Sequence, residues 1–172
     1  MKIHTSLSVI IRLALWLIML LGGAYYSIIN DLSNPYFRDP IFHLGTALLG
    51  VGITLLAFRA AKNGGRELTK GRTGNTPRLE TNRLVTSGIY ACMRHPMLFG
   101  LTLLPLGWAL LLGSPTFISR VAPMEMLFIL LMVLLFEERE VAKKFPKDYP
   151  AYKASVPMVS FRVECLKTLF RA

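Results

Sequence analysis

Residues 117–136 read FISRVAPMEMLFILLMVLLF, and only Arg120 and Glu125 carry charge in this apolar run. A run of that length is enough to cross the hydrocarbon core of a bilayer as an α-helix. Three further apolar stretches lie at about 7–29, 41–58 and 97–112. We therefore predict an all-α integral membrane bundle of four transmembrane helices with a cytoplasmic C-terminal segment. We expect residues 1–172 to form a single domain.

The composition supports a membrane location. Of the 172 residues, 53% are hydrophobic and only 17% are charged, against about 25% charged in average soluble domains. These charges are too few to cover the surface of a soluble domain of this size. The net charge of +10 could indicate a nucleic-acid partner, but the basic residues cluster beside the apolar spans. We therefore expect membrane lipids as partners and no nucleic acid.

The distribution of lysine and arginine predicts the orientation. Segment 59–94 and the tail 137–172 each hold eight of these residues, whereas the 30–40 loop holds only Arg38 and the 113–116 turn holds none. Basic loops stay in the cytoplasm. We therefore expect a multi-pass protein with both termini and the 59–94 loop on the cytoplasmic side, and we expect the first apolar run to be retained rather than removed as a signal peptide.

Two features of the basic segments complete the outline. Cys92 and Cys165 are far apart in sequence and both lie in segments expected to be cytoplasmic, so we do not expect a disulfide. After Pro157, apolar Val163, Leu166 and Leu169 recur at helical spacing. This pattern fits an amphipathic helix in the membrane interface and equally fits a frayed basic tail.

The triplet Arg94-His95-Pro96 immediately precedes the third apolar run. Proline suits the first position of a helix and disfavours helical geometry in the residue before it, so His95 is expected at the N-cap. Unpaired N–H groups at that end, together with Arg94, would attract an anion. The alternative is that Arg94 reaches lipid headgroups and His95 only caps the helix.

The fourth run ends in Glu137-Glu138. Carboxylates directly at a membrane boundary are unusual, because basic residues are the normal anchors there. On a helix these two side chains point about 100° apart, so that one can face the bundle while the other faces solvent. A solvated acidic turn that ends the helix is the alternative.

Tyr149 and Tyr152 lie between prolines, where they could form aromatic walls for a flat ligand or belong to the aromatic belt of the interface. His43, Arg120 and Glu125 are weaker candidates, since ionisable residues inside spans are often functional. We interpret Arg120 and Glu125 as an interface anchor and its partner.

Together, several of these motifs resemble the isoprenylcysteine carboxyl methyltransferase family, which belongs with the phospholipid methyltransferases. The resemblance covers about 70–160 and rests on an ordered set of motifs: Leu84-Val85-x-x-Gly88-x-Tyr90, Arg94-His95-Pro96 with Gly100, Glu137-Glu138, Tyr149-x-x-Tyr152 and Val156-Pro157.

The resemblance implies a membrane methyltransferase that uses S-adenosylmethionine and acts on a lipophilic small-molecule or lipid-modified acceptor at the cytoplasmic face. The residues it assigns to cofactor binding are Asn82, Arg83, Leu84, Val85, Tyr90, His95, Pro96, Met97, Leu98, Glu137, Tyr149 and Tyr152. The candidate catalytic residues are Arg94, His95 and Glu138, and no metal is expected.

The sequence departs from the family pattern at two positions. Leu98 stands where the family usually has tyrosine, and Val133 stands where the isoprenylcysteine branch carries an arginine that is taken to hold the substrate carboxylate. A buried carboxylate substrate would therefore lack its counterion, unless Arg139 replaces that arginine. A phospholipid N-methyltransferase or a thiol S-methyltransferase is the alternative within the same class.

Two readings outside this class are more remote. His43 and His95 could ligate a haem, but they lie on different predicted spans and at opposite faces of the membrane. The chain could also be a non-catalytic membrane scaffold.

Overall fold

This computed structural model describes residues 2–74 and 81–170. Arg78 and Arg171, which contribute to the count of basic residues, lie outside that part. The described residues form six helices, with no β-strand among them, so the all-α prediction is confirmed. The helices are α1 (Lys2–Asp31), α2 (Pro40–Lys70), α3 (Pro96–Leu112), α4 (Phe117–Lys144), α5 (Tyr149–Ser155) and α6 (Val163–Phe170). Single 3₁₀ turns occur at Tyr36–Arg38 and Gly88–Ala91.

Three of these helices are long and apolar enough to cross a membrane: the Ala14–Asp31 part of α1, α2 and α4. The third predicted span corresponds to α3, which is apolar but has only 17 residues. At about 1.5 Å per residue, α3 is somewhat shorter than the hydrocarbon core of a bilayer. The protein is therefore a helical membrane protein with three spanning helices by length, and the count of four remains a prediction that depends on α3.

The chain divides into two compact units, one of Met1–Ile53 with Pro105–Met126 and one of Thr54–Leu104 with Leu127–Ala172. In the first unit, the fully buried carboxylate of Asp31 at the end of α1 joins α1 to the start of α4. It accepts hydrogen bonds from the hydroxyl of Ser114 and from the backbone N–H and hydroxyl of Thr116. These bonds satisfy donors at the beginning of α4 that have no partner within the helix.

The weaker candidates of the sequence analysis also lie in this first unit. Glu125 is buried against Gly23 of α1, where a methyl group on the glycine would collide with the carboxylate. Arg120 is exposed and makes no ion pair with Glu125 among the described residues, so the interpretation of Glu125 as its partner is wrong. The ring of His43 hydrogen-bonds the Phe37 carbonyl at 2.6 Å, a local contact that accounts for its orientation.

The core of the second unit surrounds the Gly88–Ala91 turn. Met93 and Leu169 are fully buried there, beside Ile89 and Tyr90. The amide of Asn63 on α2 donates to the Leu169 carbonyl at 2.6 Å. The tail is thus a helix from Val163 to Phe170, and its inward face packs on the protein instead of requiring the membrane interface for burial.

The expectation that the cysteines stay unpaired is wrong, because a disulfide joins Cys92 and Cys165, with 5.6 Å between their Cα atoms. The two cysteines meet despite their separation along the sequence, because α6 packs against the Gly88–Ala91 turn. This packing brings Cys165 of α6 to Cys92, the residue that follows the turn. The bond encloses the chain from 92 to 165, which contains α3, α4 and α5.

Candidate active site

The backbone of Arg94 and His95 is fixed on both sides. Pro96 is the first residue of α3, so His95 occupies the N-cap position as expected. On the other side, the N–H groups of Arg94 and His95 donate to the carbonyls of Pro157 and Met158 at 2.9 and 3.1 Å. These two bonds hold the segment after α5 against the start of α3 and fix where both side chains emerge.

The second part of the site depends on a π-helical turn in α4 at Val133–Glu137. The buried face of α4 continues from Ile129 to Val133 after four residues and then to Glu138 after five. In an uninterrupted α-helix, the position four residues after Val133 would be Glu137. The π turn instead buries Glu138 and leaves the Glu137 side chain 55% exposed. Such turns often occur at functional sites.

Glu138 is the centre of a polar group that we call the Glu138 cluster: Arg94, His95, Glu138 and Lys153. Its Oε1 lies 3.0 Å from His95 Nε2 and 3.2 Å from Arg94 Nη1. Its Oε2 accepts a hydrogen bond from Lys153 Nζ at 2.6 Å. A carboxylate can remain ionised away from water when cations and donors surround it in this way.

Two groups in this cluster retain capacity for a ligand or a proton. The Nε and Nη1 atoms of Arg94 are buried and have no hydrogen-bond partner among the described residues, so Nη1 meets Glu138 as an ion pair without hydrogen-bond geometry. A buried donor without a partner is costly, so it favours a bound acceptor. His95 has a carboxylate beside each ring nitrogen, because its Nδ1 lies 3.7 Å from Glu137 Oε2.

The two tyrosines of α5 are buried, with ring centroids 6.3 Å apart. The hydroxyl of Tyr152 donates to the Tyr90 carbonyl at 2.7 Å. Burial raises the pKa of Tyr152 to about 12, and burial together with the neighbouring Glu138 carboxylate raises the pKa of Tyr149. Both hydroxyls therefore stay protonated near neutral pH. Their burial against the protein argues against a place in a lipid-facing aromatic belt.

A cavity of about 750 Å³ lies beside α5. Four of the predicted cofactor-binding residues line it, namely Asn82, Arg83, Leu84 and Tyr152. The remaining wall comes from Thr86, Ala91, Phe145, Asp148, Ala151, Ser155 and Val156. The volume falls within the range of about 300–1,000 Å³ that is usual for small-molecule sites.

The other predicted cofactor residues do not line this cavity. His95, Glu137 and Tyr149 belong to the Glu138 cluster or border it. Val85 and Tyr90 are in the hydrophobic core of the second unit, and Leu98 is buried on α3. Pro96 and Met97 form the first turn of α3, where they face Gly64 of α2. The predicted cofactor residues therefore fall into three sets: those that line the cavity, those in or beside the Glu138 cluster, and those that pack in the core.

Sequence reasoning missed Lys153 and the backbone acceptors at Pro157 and Met158. One signal could have identified Lys153, because it follows Tyr149 by four residues and so shares its face of a helix. No sequence signal pointed to the carbonyls of Pro157 and Met158, because these residues contribute only backbone atoms to the site.

The model of the phospholipid methyltransferase family matches residues 40–148, which include α2, α3, α4 and the Arg94-His95-Pro96 segment. No curated protein and no solved structure matches the chain. The match supports the wider group named in the sequence analysis and does not single out the isoprenylcysteine branch.

Proposed function

Because the chain belongs to the phospholipid methyltransferase family, we propose that this membrane methyltransferase transfers the methyl group of S-adenosylmethionine to a lipophilic acceptor. The observation that carries the proposal is the buried guanidinium of Arg94, which pairs with Glu138 and still has an unused donor. A cationic group of that kind, at the N-terminus of α3, suits the carboxylate of the methyl donor.

The cavity beside α5 has groups that match the rest of the donor. Tyr152 presents an aromatic side chain to a flat adenine. Asn82 and Asp148 line the same cavity and offer hydrogen-bond partners for a ribose diol. We therefore assign Asn82, Arg83, Leu84 and Tyr152 to the donor's nucleoside, and Arg94 to its carboxylate.

The donor supplies a methyl group already activated by a sulfonium, so the protein mainly has to orient the reactants and exclude water. Both carboxylate oxygens of Glu138 are engaged by Arg94, His95 and Lys153. We therefore assign Glu138 to holding these side chains rather than to accepting a proton. His95 is the candidate base for an amine acceptor, because its imidazole lies between the carboxylates of Glu137 and Glu138.

For the acceptor we favour an uncharged or amine-bearing lipid over a prenylcysteine carboxylate. Val133, which stands in place of the arginine of the isoprenylcysteine branch, is buried at 7% exposure. Arg139 is exposed to solvent on the next turn. The family match favours a phospholipid amine, and a hydrophobic thiol is the second candidate. The four-span topology with a cytoplasmic site is part of the same proposal.

The test is calorimetric titration of the purified protein in lipid nanodiscs with S-adenosylmethionine, followed by transfer of labelled methyl groups to a lipid extract. We expect saturable donor binding that Arg94→Met weakens at least about tenfold. Arg162→Met, at an exposed position, is the control and should bind like the wild type. Absence of donor binding by the wild type would refute the proposal.

A further inference from the structure

Lys153 connects the surface of the protein to the buried carboxylate at the centre of the Glu138 cluster. Its Nζ lies 2.6 Å from Glu138 Oε2, and its side chain is 54% exposed while that of Glu138 is only 6% exposed. Lys153 contacts Oε2, whereas His95 and Arg94 both contact Oε1. The ion pair thus differs from an ordinary surface pair, because one partner is shielded from water.

The helix that carries Lys153 also borders the cavity. Ala151, Tyr152 and Ser155 of α5 line it, and Tyr152 is fixed through its bond to the Tyr90 carbonyl. Tyr149 and Lys153, one turn apart on α5, both lie at Glu138. The seven residues of α5 therefore contribute to the cavity wall and to the charged cluster at the same time.

Removal of the Lys153 ammonium would leave Oε2 without this partner. The carboxylate could then rotate to share both oxygens among Arg94 and His95, or take up water at the exposed side. Either change would alter the direction of the Arg94 guanidinium, because Glu138 is the acidic group with which it pairs.

We propose that Lys153 is a positioning residue: its ammonium fixes Glu138 Oε2 so that Oε1 stays on Arg94 and His95, while α5 forms the wall of the donor cavity. This inference rests on the proposed function, since the consequence to be measured is donor binding. Lys153 itself touches no reacting atom and acts through Glu138.

The experiment measures the affinity for S-adenosylmethionine in nanodiscs by calorimetry. We expect Lys153→Met to weaken binding about tenfold or more, and Lys153→Arg to stay within about threefold of the wild type, because the arginine restores the charge. Lys147→Met, at an exposed lysine on the segment before α5, should leave the affinity unchanged.

Chemical rescue separates positioning from a structural role. In Lys153→Ala, added n-propylammonium should recover part of the affinity, whereas the same concentration of n-propanol should recover none, because only the former supplies a positive charge with N–H donors. A purely structural role predicts equal responses to the two additives and a lowered thermal midpoint that neither restores.

The outcomes are distinct. Donor binding by the wild type that Lys153→Met leaves unchanged would overturn this inference alone. No donor binding by the wild type would overturn the proposed function, and this inference with it. If Lys153→Met does not purify, Lys153→Gln and Lys153→Arg are compared. Equal affinity in those two variants overturns the inference, because glutamine keeps a hydrogen-bond donor but no charge.

Discussion

The imidazole Nε2 of His95 lies 3.0 Å from Glu138 Oε1, although 43 residues separate them in the sequence. His95 is fixed by the N-cap of α3 and by the Met158 carbonyl, and Glu138 by the π turn of α4. The N-cap of α3 and the π turn of α4 are therefore joined by this one hydrogen bond. Substitutions at either His95 or Glu138 should therefore disturb the Glu138 cluster.

Glu138→Gln should be the most damaging single change in the cluster. It leaves Arg94, at 9% side-chain exposure, without its carboxylate. Breaking a buried pair by removing one partner costs about 3–5 kcal/mol. We expect a clear drop in the thermal midpoint and loss of measurable donor binding. Glu164→Gln, at an exposed position on α6, is the control, and equal midpoints for the two variants would contradict the assignment.

Glu137→Gln should have a much smaller effect on stability, because the side chain is 55% exposed and 3.7 Å from His95 Nδ1. An exposed pair contributes about 0–1 kcal/mol. If Glu137 binds the donor, as the family resemblance implies, the affinity should fall by about 1–3 kcal/mol while the midpoint hardly changes. Calorimetry and thermal denaturation of the same sample separate the two quantities. An unchanged affinity would show that this glutamate only ends the apolar run.

The acceptor prediction concerns Val133. An unpaired carboxylate brought into the buried site would lose several kcal/mol of hydration without compensation. We expect slow methyl transfer to a prenylated cysteine analogue and faster transfer to amine-bearing or amide-capped counterparts. A preference for the free acid that Arg139→Ala abolishes would refute this, because it would show that Arg139 supplies the missing charge.

The disulfide between Cys92 and Cys165 should stabilise the second unit. A long closed loop of this kind typically contributes about 2–4 kcal/mol. At about 2–4 °C for each kcal/mol in a chain of this size, reduction should lower the thermal midpoint by roughly 5–15 °C. Cys165→Ser should start at the lower midpoint and respond little to the reductant. A wild-type midpoint that is insensitive to reduction would contradict the expectation.

The sequence predicted the helical class, the approximate positions of the apolar helices and the N-cap at His95, because apolar run length and the position of proline are local signals. It also predicted that one of Glu137 and Glu138 can be buried while the other is exposed. It could not identify which was which by helical periodicity, since the π turn adds a residue to one turn of α4. The disulfide and the Pro157 and Met158 carbonyls depend on contacts between distant segments, and no local pattern encodes them. Lys153 had a local signal only in its spacing of four residues from Tyr149.

The π turn also makes the position of Glu138 depend on the hydrogen bonding of α4 and not only on the order of its residues. Deleting one apolar residue between Val133 and Phe136 would allow continuous α-helical hydrogen bonding. Glu138 would then follow Val133 by four residues of α-helix and would stay on the face that it shares with Val133. A single lost codon there would leave the carboxylate beside Arg94 and His95, whereas a change of the turn to α-helical hydrogen bonding with every residue retained would rotate Glu138 by about 100° away from them.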